Sequence, residues 1–167
     1  MKVMGIREFS MATILAWPIA LSAQSADDIG IEGKMLGETI FKSMDTSDLG
    51  EIHLGEIEEF RDSVFAGMDY DQNGKVTYEE FSSWDLGFRF VAEEVGRAEA
   101  YTTASKIVFA FWDRDGDREL TETEMRFAMS SDFRRADLDD DGLLTQNEFI
   151  SGFPVIVAMR AAIRPDL

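Results

Sequence analysis

Three windows of this chain align without a gap: DYDQNGKVTYEE (69–80), DRDGDRELTETE (113–124) and DLDDDGLLTQNE (137–148). Each carries Asp at positions 1 and 3, Asn or Asp at 5, an apolar residue at 8, Thr at 9 and Glu at 12. Such self-similarity constrains the fold more than composition does, because every copy must take up the same local structure. The spacing has a chemical reason. Ca²⁺ is a hard cation that takes about six to eight oxygen ligands, and side chains at positions 1, 3 and 5 of a tight turn point at one centre. A backbone carbonyl at position 7 adds an oxygen, position 9 acts through water, and a glutamate at 12 closes the shell with both of its own. T-x-x-E over positions 9 to 12 is also a capping-box pattern, so the residues that close each loop start the helix after it.

These windows closely resemble the loops of the EF-hand family. The resemblance implies Ca²⁺ as the bound ion, with Asp69, Asp71, Asn73, the Lys75 carbonyl, Thr77 and Glu80 as ligands in the first loop. It implies Asp113, Asp115, Asp117, the Glu119 carbonyl, Thr121 and Glu124 in the second. In the third it implies Asp137, Asp139, Asp141, the Leu143 carbonyl, Thr145 and Glu148. One match would be weak; three, each flanked by helical apolar patterns, are strong.

Two departures carry expectations. Position 6 wants positive φ, which Gly74 and Gly142 supply, but Arg118 stands there in the 113–124 loop. A non-glycine residue costs about 1 kcal/mol in that conformation, and Gly116 two residues earlier relaxes part of the turn, so this loop is expected to be the weakest of the three. The second departure is a worn fourth copy, DTSDLGEIHLGE (45–56). Asp45, Gly50, Ile52 and Glu56 fit, whereas Ser47 is a poor acid substitute and Leu49 offers no side-chain oxygen. This loop is expected to be structural and largely ion-free. The only histidine, His53, stands at its position 9.

Loop spacing sets the architecture. The loops start at 45, 69, 113 and 137, so members of each close pair are 24 residues apart. That leaves room for one connecting helix, which leaves the first loop and enters the second. Ile57, Phe60, Val64, Phe65 and Met68 recur at helical spacing in the first connector, as do Met125, Met129 and Phe133 in the second. A helix of this length is about 20 Å long and holds its loops at opposite ends. Each loop must therefore find its β-bridging partner in the other half: Val76 with Leu120, and Ile52 with Leu144. The expectation is an all-α, EF-hand-like domain of two fused pairs over 26–167. A helix over about 29–44 leads in, with Leu36, Ile40, Phe41 and Met44 inward. A helix from Thr77 to about Val95 breaks near Gly96 and restarts toward Trp112. Gly152 and Pro154 interrupt the last outgoing helix, leaving 154–163 as a separate short helix that either closes the core or docks a partner. The short connector is similar to that of the lanmodulin family of lanthanide-binding periplasmic proteins. Tyr70, Arg114 and Leu138 stand where that family has proline, and Thr where it favours an acid, so the similarity supports the architecture and not lanthanide selectivity.

Composition bounds the partners. With 33 acidic against 16 basic residues and a net charge of −17, the chain repels nucleic acid and anionic membranes. A hydrophobic content of 45% with thirteen phenylalanines argues for a packed fold rather than disorder. Residues 1–25 read as a signal peptide: Lys2 and Arg7 precede the apolar stretch 11–23, and small residues allow cleavage after Ser22 or Ser25. The expected location is periplasmic or secreted, with no membrane association once the signal is removed. No cysteine is present, and neither a phosphate-cradling glycine loop nor a nucleophile elbow occurs, so no enzymatic activity is expected. Nine methionines and the phenylalanines either fill the core or furnish an adaptable groove for another protein. Two functional readings follow: a calcium sensor or buffer, and a constitutively calcium-stabilised interaction module.

Overall fold

A computed structural model describes residues 26–164; the expected signal peptide lies outside the described residues. The helices are α1 (Ala26–Met44), α2 (Leu54–Met68), α3 (Tyr78–Ser83), α4 (Phe88–Glu94), α5 (Ala98–Trp112), α6 (Glu122–Ala136), α7 (Gln146–Gly152) and α8 (Pro154–Ile163). Four short strands lie in the loops: β1 (Glu51–His53), β2 (Lys75–Thr77), β3 (Glu119–Thr121) and β4 (Leu143–Thr145). The fold is all-α apart from these strands, and α2 and α6 each serve two loops as single shared helices.

The strands pair across the two halves. β1 is antiparallel to β4 with Ile52 opposite Leu144, and β2 is antiparallel to β3 with Val76 opposite Leu120. All four of these side chains are 0% exposed, so each bridge is pinned by an apolar pair and not by backbone hydrogen bonds alone. A rigid shared helix forces this cross-pairing, because it separates the loops at its ends by its own length. The shared helices then lie against one another, α2 on α6. Ile57, Val64, Phe65 and Met68 from one, and Met125, Met129 and Phe133 from the other, are all in the core.

The stretch between the middle loops departs from the expected helical hairpin. The helix after the 69–80 loop stops at Ser83, and α4 starts afresh at Phe88. Trp84 leaves the helix in an extended conformation, ψ 125, and Gly87 caps α4 at φ +97, where a Cβ would come to 3.0 Å from the Leu36 side chain of α1. Asp85 then accepts the Arg89 N–H at 3.3 Å and the Tyr101 hydroxyl at 3.1 Å, fixing the start of α4 against α5. The second break falls at Gly96, φ +71, where it was expected. At the C-terminal end, Pro154 opens α8 at its first turn, where the missing N–H costs nothing. Ile156 and Met159 of α8 are buried, so this helix closes the core.

Candidate metal centres

All four loops share one backbone path. Positions 4 and 6 are left-handed in each: Asp48 and Gly50, Gln72 and Gly74, Gly116 and Arg118, Asp140 and Gly142. Every loop therefore contains one glycine and one non-glycine in this conformation. The 113–124 loop has exchanged them, with Arg118 at φ +73 and Gly116 at φ +75. Gly116 does not relax the turn at Arg118; it occupies the other left-handed position.

The aspartate at position 1 organises the turn. Asp69 accepts the N–H groups of Asn73 and Gly74 at 3.0 and 2.9 Å. Asp113 accepts Gly116 and Arg118 at 2.8 and 2.9 Å, and Asp137 accepts Asp141 and Gly142 at 3.2 and 3.0 Å. The side-chain oxygen at position 5 accepts the N–H at 7, from Asn73, Asp117 and Asp141 alike, each at 2.8 Å. Leu49 cannot make that bond in the 45–56 loop.

The glutamate at position 12 is shared between cap and cage. Thr77, Thr121 and Thr145 each cap the next helix, and each donates both its N–H and its hydroxyl to Oε2 of Glu80, Glu124 or Glu148. His53 fills the same role at α2. Its Nδ1 accepts the Glu56 N–H at 3.2 Å, which makes it a cap that its residue type alone did not suggest. Burial pushes the Glu124 carboxyl up, but hydrogen bonds from Thr121, Arg114 and Asp115 outweigh it and hold the group below the ordinary range. Glu56 follows the same pattern, with burial outweighed by bonds from Ser47, His53 and Thr46. Glu148 is held low chiefly by the Thr145 N–H.

Three clusters of carboxylate oxygens result, each within 4.8 Å: Asp69, Asp71 and Glu80; Asp113, Asp115 and Glu124; Asp137, Asp139 and Asp141. Among the described residues these are the groups able to hold a metal ion, and each falls in one of the well-formed loops. Asn73 lies against Asp71, donating to it at 2.9 Å. Asp117 and Glu148 stand outside the clusters of their own loops. Glu148 turns Oε1 to the Leu138 N–H at 3.0 Å, and Asp117 lies 3.7 Å from Lys75 Nζ of the neighbouring loop. The carbonyl-bearing residues Lys75, Glu119 and Leu143 lie in β2, β3 and β4. The donor set fits a divalent cation. Glu80 is 4% exposed, and its Oε1 is buried without a hydrogen-bond partner, an oxygen that a cation would satisfy.

Two segments, residues 58–83 and 131–153, match the EF hand family model. They enclose the 69–80 and 137–148 loops. The fold is an EF-hand fold. No curated protein matches the chain. The 113–124 loop falls outside both matched segments, yet it repeats the EF-hand path, capping box and carboxylate cluster of its neighbours. The 45–56 loop repeats the path and the cap without a carboxylate cluster. Its Glu56 Oε1 accepts the Thr46 hydroxyl at 3.1 Å and the Ser47 N–H at 2.9 Å.

Proposed function

We propose that the protein binds Ca²⁺ at the 69–80, 113–124 and 137–148 loops and acts outside the cytoplasm as a calcium sensor or buffer. The observation that carries this reading is the convergence of carboxylate oxygens in three loops, with Glu80 Oε1 buried and unpartnered beside Asp69 and Asp71. When bound, the ion would neutralise carboxylates that otherwise repel one another and would draw the closing glutamates toward the loops. Glu80, Glu124 and Glu148 open α3, α6 and α7 through their capping boxes, so neutralisation in a loop acts directly on helix position. We propose no enzymatic activity for the described residues, whose clustered carboxylates we assign to metal binding.

The second reading is a constitutively calcium-stabilised interaction module, in which the buried apolar cleft stays closed. Met44, Met68, Met125, Met129 and Met159 are buried, and they line a cleft between the halves together with Phe81, Trp84 and Trp112. A sensor has to open that cleft toward a protein partner; a module keeps it closed. Calorimetric titration of the protein with Ca²⁺, Mg²⁺ and La³⁺ tests the common ground: three calcium sites are expected, with the 113–124 loop the weakest. A hydrophobic dye whose fluorescence rises only with Ca²⁺ supports the sensor; a flat response supports a buffer or the module, and the affinity of the sites then separates those two, weak sites favouring the module. No uptake of ions defeats both.

A further inference from the structure

One surface groove combines exposed aromatic rings with guanidinium groups. α5 and α6, which flank the 113–124 loop, hold between them a groove lined by Phe111, Trp112, Arg114, Phe127, Asp132 and Arg135. It is separate from the methionine-lined cleft, with only Trp112 shared. Phe111 is 69% exposed and Phe127 46%. Ile107, one turn before Phe111 on α5, is exposed as well.

Each exposed ring carries a guanidinium. Arg114 lies 3.7 Å from the centroid of the Phe127 ring, and Arg135 lies 5.7 Å from that of Phe111. Stacking of this kind holds the guanidinium flat and leaves its N–H edge for a ligand. Asp132 forms the floor and is spoken for. It is 3% exposed, its Oδ2 accepts Trp112 Nε1–H at 3.3 Å, and its Oδ1 accepts Arg135 Nη1–H at 3.1 Å. Burial pushes its carboxyl up, while Trp112 and Arg135 act against that. Arg114 has no carboxylate within ion-pair distance among the described residues, although the chain holds 33 acidic side chains.

We propose that this groove docks an acidic peptide segment of a partner protein, its carboxylates meeting Arg114 and Arg135 and a bulky apolar side chain lying between Phe111 and Phe127. Charge complementarity selects this occupant. An unpaired guanidinium and a partly satisfied one, set beside solvent-exposed rings, match carboxylates next to an apolar anchor. Arginine and aromatic residues are also the types that dominate the energetic centres of protein interfaces. Long-range repulsion scales with the partner's charge, so a second copy at −17 or an extended anionic membrane is opposed far more than a short acidic segment whose few carboxylates the two guanidiniums meet directly. The proposal does not depend on an ion in the 113–124 loop, since the groove is formed by side chains of the helices and by that of Arg114.

The test is fluorescence anisotropy of the full chain against fluorescein-labelled hexapeptides of Glu carrying a single Trp or Phe, with all-Glu and Gln-for-Glu peptides as references. Saturable binding is expected for the Glu peptides with an aromatic anchor and not for either reference. Arg114→Ala and Phe127→Ala are each expected to weaken it by about tenfold. Phe111→Ala removes a side chain that stands mostly in solvent, so it reports on the groove should Arg114→Ala disturb the loop. Absence of saturable binding, or binding indifferent to all three substitutions, overturns the proposal. So does adsorption to phosphatidylserine vesicles that requires Arg114, or a concentration-dependent dimer abolished by Phe111→Ala.

Discussion

The hydroxyl of Thr46 donates to Glu56 Oε1 at 3.1 Å, where the equivalent oxygen of Glu80 is buried without a partner. Protein groups do in the 45–56 loop what an ion would do in the 69–80 loop. Glu56→Ala is therefore expected to leave the number of bound Ca²⁺ unchanged in calorimetry. It strips partners from Thr46, Ser47 and the His53 N–H, and stability should fall by about 1–3 kcal/mol in denaturant unfolding. Glu80→Ala is expected to remove one calcium site.

Arg118 holds φ +73 in a position that Gly74 and Gly142 occupy in the sibling loops. A side chain there crowds the carbonyl that follows it. Arg118→Gly is expected to stabilise the ion-free protein by about 1 kcal/mol, read from thermal unfolding in chelator. Removing a cation from the loop should also strengthen Ca²⁺ binding there. Gly116→Ala is expected to destabilise by a similar amount, because it would leave two non-glycine residues left-handed in one loop.

Much of this architecture was legible because period and spacing act locally. The 24-residue interval leaves room for one connecting helix, and one helix forces Ile52 onto Leu144 and Val76 onto Leu120. The break at 84–87 was not legible. Trp84 and Leu86 continue an apolar pattern, yet Trp84 already turns extended at ψ 125 and Gly87 opens α4 in a left-handed conformation beside Leu36 of a distant helix. The exchange of Gly116 and Arg118 is hidden for a related reason: position 4 is left-handed in every loop, which its varied residues, Asp48, Gln72, Gly116 and Asp140, do not announce. Nor could spacing show that Asp117 would lean toward Lys75 across the bridge, since that pairing exists only once β2 and β3 are aligned.

Glu56, Glu124 and Glu148 are held below the ordinary glutamate range, and the sign of the consequence follows. A carboxylate with a depressed folded-state pKa adds stability above its unfolded value and loses it as pH falls through the folded one. Asp132 works the other way. Its raised pKa means that protonation favours the fold, and that contribution disappears as pH rises. With three groups against one, thermal midpoints in chelator should fall as pH drops below about 4.3, the unperturbed glutamate value. Glu124→Gln should reduce the slope of that acid limb, and Asp132→Asn should not.

Lys75 reaches across the β2–β3 bridge to Glu119 and lies 3.7 Å from Asp117 Oδ2. Its backbone belongs to the 69–80 loop, while its ammonium sits on two residues of the 113–124 loop. Glu119 in turn holds the ammonium protonated more firmly than usual, so it stays charged across the physiological range. A tethered cation at Asp117 competes with a free one. Lys75→Met is therefore expected to raise the Ca²⁺ affinity of the 113–124 loop. The 137–148 loop, bridged to the other end of the molecule through β1, should not respond. All of these side chains are partly exposed, so the gain should shrink as salt screens the pair, vanishing near about 1 M, where the screening length is about 3 Å. Site-resolved titration by NMR at low and high salt separates the two loops. An unchanged affinity at low salt would mean that Asp117 reaches the ion freely and that Lys75 merely shields it.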